Sequence, residues 1–277
     1  MNTPSHIVAP IAKSHTHTVI FLHGKGSDAT EFAKEFFESQ ASDNRTFTEI
    51  FPSFKWVFPQ SKIRMSTRFD SEESQWFDIW AVENPLEKEE TQKIGLLESI
   101  EDILDVIRHE MSIVSPERLF IAGISQGCAV AIYALLCGNI KLGGFIGLSS
   151  WLPFPQIIQN ISHDVTCVQS MSTVLKHSGP GLQPLNRLSG TKIISQSSVH
   201  DTPILLTHCK DDQVVPIANG RELRDALAAI PSGSVITWKE YEDGGHWINE
   251  PRGVDDIVHF IQGVMMTDKD DVQNSVE

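Results

Sequence analysis

Residue types that together perform nucleophilic acyl transfer occur in a workable order along this chain: Ser125, then Asp211 or Asp212, then His246. A serine hydroxyl at neutral pH is too weak a nucleophile to attack a carbonyl unaided. It needs an imidazole to take its proton and a carboxylate to hold that ring in the right tautomer. Ser125 sits within Gly123-Ile124-Ser125-Gln126-Gly127, where small flanking residues permit a sharp strand-to-helix turn that lifts the hydroxyl clear of its surroundings. The same turn leaves the amide of Gln126 at a helix N-terminus, aimed where an oxyanion forms. A second donor is expected from the loop His23-Gly24-Lys25-Gly26, through the amide of Lys25, because its glycines let backbone approach a substrate closely. The acid lies in Lys210-Asp211-Asp212-Gln213-Val214-Val215-Pro216 and the base in Glu242-Asp243-Gly244-Gly245-His246-Trp247. Asp211 or Asp212 alone reads as a turn former. Of the eleven histidines most must be surface or structural, and His23, His163 and His200 have no strong claim. The combination carries the signal.

These loops need a scaffold that delivers them to one edge. Leu119 to Gly123 is an apolar run of the kind found in strands buried on both faces, and the run after Ser125 is helix-forming with no internal proline. Further strands are expected at 18–22, 54–59, 145–150, 204–208 and 234–241. Helices are expected where Phe32, Phe36 and Phe37 recur, where Leu96, Leu97, Ile100, Ile103, Leu104 and Ile107 follow the helical period, and over 218–230 and 250–264. Alternating strands and helices mean an α/β fold with a mostly parallel central sheet flanked by helices, whose catalytic groups gather at the strands' carboxyl ends. Residues 1–15 read as a flexible arm, 16–265 as one domain, 153–203 as a lid or binding-loop insertion, and 266–277 as a disordered acidic tail.

Composition narrows the partners. A formal net charge of −14 argues against nucleic acid or an anionic membrane surface. No window has the roughly 18 apolar residues of a membrane span, so no stable insertion is expected. Residues 1–13 lack the basic start and apolar core of a secretory signal, and the four cysteines lack paired or metal-like spacing. Both observations point to free thiols in a reducing, cytoplasmic setting. His15-Thr16-His17 lacks acidic or cysteine companions, so no metal site is expected, and the glycine loop lacks the Gly-Lys-Ser/Thr ending of a phosphate-binding loop.

Several segments together resemble a known family, the acyl-protein thioesterase and small carboxylesterase group of α/β-hydrolases, also called the phospholipase/carboxylesterase family. They are Phe21-Leu22-His23-Gly24-Lys25-Gly26, Trp76-Phe77-Asp78-Ile79, the Ser125 elbow, Leu148-Ser149-Ser150-Trp151-Leu152-Pro153, Asp212-Gln213-Val214-Val215-Pro216 and His246. They occur in family order across roughly residues 18 to 262. The resemblance implies the α/β-hydrolase fold, Ser125 as nucleophile, His246 as base, and Asp212 rather than Asp211 as acid, because the family's acid lies four before the proline, here Pro216. It also implies Lys25 and Gln126 as oxyanion donors and no cofactor. Trp76, Trp80, Trp151 and Trp247 are candidates for binding the substrate. The sequence departs from the family at Lys25, Gln213, Trp247 and Cys128, and in the long 153–203 segment.

The implied activity is a serine hydrolase cleaving acyl thioesters, such as S-acylated protein cysteines, or carboxylic esters through an acyl-enzyme. An alternative is a hydrolase or lactonase for a specialised small metabolite. A non-catalytic hydrolase-fold binding protein ranks below both, because the three catalytic residue types are intact.

Overall fold

An apolar residue at every position of a strand demands cover on both faces, and the central strands are divided in this way. In the computed structural model, which describes residues 3–162, 165–175, 201–230 and 234–274, Ile20 and Leu22 join one core cluster while Val19 and Phe21 join another. Leu119 and Ile121 likewise face the first, and Phe120, Ala122 and Ile124 the second.

The chain opens with β1 (Ser5–Val8) and β2 (His17–Leu22), followed by α1 (Ala29–Glu38), α2 (Phe47–Ile50) and β3 (Phe54–Pro59). A hairpin of β4 (Ile63–Ser66) and β5 (Ser71–Ser74) precedes α3 (Lys93–Met111), β6 (Leu119–Ile124), α4 (Gln126–Gly138) and β7 (Gly144–Leu148). Then come α5 (Pro155–Gln159), α6 (Cys167–Leu175), β8 (Ile204–Cys209), α7 (Ile217–Ala228), β9 (Ile236–Tyr241) and α8 (Arg252–Asn274). The main sheet has the order β1-β3-β2-β6-β7-β8-β9. Every pair in it is parallel except β1 with β3. Parallel neighbours need crossovers, and the helices supply them while covering the sheet. Residues of α3, α4 and α7 close one face, and α1 with α8 the other.

Aromatic packing fixes α1. Phe36 stacks on Phe47 with ring centroids 4.4 Å apart and meets Phe21 of β2 edge-on at 4.8 Å. The helix starts cleanly because Asp28 accepts the amides of Thr30 and Glu31 at 2.8 and 2.9 Å. The short loop between β2 and α1 is thereby held at both ends.

Three expectations change. The arm expected to be loose contains β1, whose residues Ser5 to Val8 pair antiparallel with Pro59 to Trp56. Its backbone hydrogen bonds outweigh a composition that has few strand formers. The 153–203 segment contains α5 and α6, and Ile157, Ile158, Cys167 and Met171 bury themselves in the main core. Ser170 donates to the Ile157 carbonyl at 2.7 Å, which ties the two helices together. Cys167 Sγ lies 2.8 Å from Cys137 Sγ of α4, a proximity that sequence spacing does not reveal. Residues 163–164 and 176–200 of the expected lid lie outside the described residues. The tail expected to be disordered is helical as far as Asn274, since α8 simply continues. Among the described residues no helix is long and apolar enough to cross a membrane.

Candidate active site

The elbow is built by close approach. Ser125, between β6 and α4, has φ 54° and ψ −126°, a backbone region that residues with side chains seldom occupy. A Cβ on Gly123 would lie 2.5 Å from the Cys128 nitrogen, and one on Gly127 would lie 2.4 Å from the His23 carbonyl oxygen. Neither position admits a side chain, which is why glycines flank the serine on both sides. The Ser125 amide donates to the Leu148 carbonyl of β7 at 2.9 Å, and Ser150 Oγ donates to the Ser125 carbonyl at 2.7 Å. Gln126 opens α4, so its amide has no carbonyl one turn earlier to reach. Its side chain is fully engaged: Oε1 accepts the Trp76 amide at 2.8 Å and Nε2 donates to the Phe77 carbonyl at 2.7 Å.

Strand register gathers the other loops at the same edge. Leu22 pairs with Gly123, Ile124 with Leu148, and Cys209 with Tyr241. Asp212 follows β8 and is buried. Its Oδ1 accepts the amides of Val214 and Val215 at 2.8 and 2.9 Å, and its Oδ2 meets His246 Nδ1 at 2.8 Å. Burial alone would raise the Asp212 pKa. Hydrogen bonds from His208, His246 and the Val215 amide outweigh it and hold the carboxyl well below the usual range. His208 Nε2 stands 3.2 Å from the same Oδ2.

His246 follows Gly244 and Gly245, whose φ values of 122° and 62° let the chain turn sharply after β9. Asp211 is drawn into this loop, its Oδ1 accepting the Gly245 amide at 2.9 Å. Of the two neighbouring acids, one meets the imidazole and the other ties the backbone beside it.

The glycine loop after β2 runs against the serine, since a Cβ on Gly24 would touch Ser125 Cβ at 3.5 Å. His23, fully buried, staples this loop. Its Nε2 accepts the Ser61 amide at 3.2 Å, which leaves Nδ1 to donate to the Gly24 carbonyl at 2.7 Å. Burial lowers its pKa, opposed in part by the Gly24 bond and Asp28, so the bonding pattern is that of a neutral ring. Trp76 Nε1 donates to the His23 carbonyl at 2.8 Å. The β4–β5 hairpin braces the outer side: the Gly26 amide donates to the Ser74 carbonyl at 2.8 Å, Ser74 Oγ donates to the Ser27 carbonyl at 2.7 Å, and Glu73 pairs with the Lys25 ammonium.

Ser125 and His246 line one cavity of about 390 Å³, together with the glycine loop and an apolar wall that includes Phe32, Val82, Trp151 and Trp247. Trp151 and Trp247 therefore reach the cavity. Trp76 and Trp80 are not among its lining residues. Trp76 is 1% exposed and serves the loop beneath, while the Trp80 ring carries the Lys88 ammonium 3.0 Å from its centroid. His23, Glu73, Ser74 and His208 were not singled out as site residues from the sequence. Of these, His23 is marked in the sequence only as part of the glycine loop, and His208 only by its place at the end of a strand four residues before Asp212. Among the described residues no group of His, Cys, Asp and Glu could hold a metal ion. A serine, an imidazole on a buried carboxylate and a glycine loop around one cavity can perform acyl transfer through a covalent intermediate.

The phospholipase/carboxylesterase family model matches in two segments, residues 2–179 and 164–265. The chain belongs to this family. The hydrolase is 26% identical over 262 residues to acyl-protein thioesterase 1 of Gibberella zeae, which spans 92% of this chain and 94% of that one. It is 27% identical over 255 residues to acyl-protein thioesterase 1 of Yarrowia lipolytica, spanning 91% and 94%. Its fold matches the crystal structure of Zea mays acyl-protein thioesterase 2 with a TM-score of 0.63 at 22% identity, covering 95% of this chain and 99% of that one. A phospholipase/carboxylesterase from Dyadobacter fermentans matches with a TM-score of 0.58 at 15% identity, covering 94% and 97%. The fold is that of the α/β-hydrolases, and the protein is an ester-cleaving enzyme.

Proposed function

We propose that this hydrolase cleaves acyl thioesters, with S-acylated protein cysteines as the principal class, or carboxylic esters through an acyl-enzyme on Ser125. His246 takes the Ser125 proton as the hydroxyl attacks the acyl carbonyl, then returns it to the departing thiol or alcohol. Asp212 holds the ring with Nδ1 turned away from the serine, and the amides of Lys25 and Gln126 stabilise the oxyanion. Water then attacks the acyl-enzyme with His246 again as base, releasing the carboxylic acid. The observation that carries this reading is the 2.8 Å contact of His246 Nδ1 with Asp212, made by a histidine that lines the same cavity as Ser125. The similarity to two fungal acyl-protein thioesterases supports the thioester class. A cytoplasmic setting belongs to the same reading and is supported by four cysteines present as thiols.

A second reading, a short-chain esterase or lactonase acting on a small metabolite, draws on the cavity of about 390 Å³, which lies toward the small end for ligand pockets. One experiment decides between them: hydrolysis of matched thioesters and oxyesters from short to long acyl chain, with Ser125→Ala as the blank. A maximum at long acyl thioesters is expected, and turnover confined to short oxyesters would favour the second reading. Fluorophosphonate labelling of the wild type, absent in Ser125→Ala, tests the nucleophile itself. A protein that never labels would remove both readings.

A further inference from the structure

Asp212 has more donors than are needed to hold one imidazole. Two backbone amides fill its Oδ1, and two histidines converge on its Oδ2, His246 through Nδ1 at 2.8 Å and His208 through Nε2 at 3.2 Å. His208 Nε2 also lies 2.9 Å from the Val215 carbonyl. Both neighbours of that nitrogen are acceptors, so it carries a hydrogen and shares it between them.

The ring is held in this pose. It is buried at the end of β8, and Gly220 of α7 packs so closely that a Cβ there would lie 2.3 Å from His208 Nδ1. Trp238 of β9 flanks it with ring centroids 6.4 Å apart. Nδ1 itself is buried with no hydrogen-bond partner among the described residues. An apolar side chain could fill the space without stranding a polar nitrogen, so the favourable contact of this imidazole lies at Nε2.

We infer that His208 is a positioning residue that, by donating to Asp212 Oδ2, weakens the hold of the carboxylate on protonated His246 and so lets His246 act as base at lower pH. The inference rests on the assignment of Asp212 and His246 made above. A second N–H on one oxygen draws off negative charge that the first would otherwise feel. Without it, Oδ2 binds the imidazolium more strongly and frees the base only at higher pH. The other ionisable groups around the pair are Asp211, tied to the Gly245 amide, Asp243 and Cys209 beneath the loop, and Lys25 and Glu35 on the cavity wall. On the far side of His208 stand Arg224, over the Trp238 ring, and Glu240, bonded to its indole nitrogen. A substitution at 208 leaves all of these in the chain.

The test is the pH profile of kcat/KM for a neutral short-chain thioester in the full-length wild type and in His208→Leu, His208→Asn, His208→Gln and His246→Ala. The Gln amide nitrogen reaches about as far as Nε2, whereas the Asn amide stops near Nδ1. His208→Leu and His208→Asn are expected to move the rising limb about half to one pH unit upward, a loss of about three- to tenfold on the acid side. His208→Gln should return the limb to the wild-type position. If His208→Leu does not fold, the comparison of Asn with Gln carries the test. A limb unmoved in the Asn and Leu variants, or moved as far in the Gln variant, overturns the inference. Full activity in His246→Ala would instead remove the underlying assignment of the base.

Discussion

Asp211 and Asp212 differ by one position and serve different atoms. Asp212→Asn is expected to lower kcat by about 10³–10⁴, because an amide beside Nδ1 favours the wrong tautomer of His246. Asp211→Asn retains an oxygen for the Gly245 amide and should stay within about tenfold of wild type; steady-state kinetics on one thioester checks both. Two adjacent turn acids look alike in a sequence, and the choice of Asp212 came from its distance to Pro216 in the family resemblance. His23 was less legible still, since its importance lies in what folds around it. Its pKa in the folded chain lies below the unfolded value of about 6.5. The unfolded chain therefore binds the proton first on acidification. Stability from His23 is complete above about pH 6.5 and is lost as pH falls toward the folded value. Urea midpoints should fall from pH 7.5 to 5 in the wild type and fall less in His23→Asn, which does not titrate.

At the scale of elements, the strands with alternating core assignments were legible because burial on both faces leaves an unbroken apolar run. The β4–β5 hairpin was not, because Ser71-Glu72-Glu73-Ser74 has little strand propensity; besides its local pairing with β4 it is held by the bonds of Ser74 to the distant Gly26 and Ser27. The helices α5 and α6 were hidden for a similar reason, lying in a stretch whose Ser, Gln and Pro content masks a few well-placed apolar residues. Gln126 joins elements more directly. Its side chain fastens the start of α4 to the Trp76–Phe77 strap, and that strap supports the His23 carbonyl. Gln126→Ala would leave a buried amide and a buried carbonyl without partners. A loss of about 2–6 kcal/mol is expected in chemical denaturation, since each of the two orphaned groups costs about 1–3 kcal/mol.

Over the whole molecule, the seven-stranded sheet has two edges that are protected differently. On β9, Lys239 pairs with Asp256 of α8 and Glu240 with Arg221 of α7. At the other edge β3, with Phe54, Trp56, Val57 and Phe58 all buried, lies between β2 and the short edge strand β1, which alone covers its outer side. A chain beginning at residue 10 would bare the β3 backbone next to those aromatic side chains. Light scattering and size exclusion should then find self-association at concentrations where the full chain is monodisperse, with activity falling as material is lost; an unchanged elution volume would contradict this. A first segment that reads as a flexible arm thus acts as a guard rail against aggregation, and affinity tags or fusions placed there would be judged by whether they leave Ser5 to Val8 free to seal that edge.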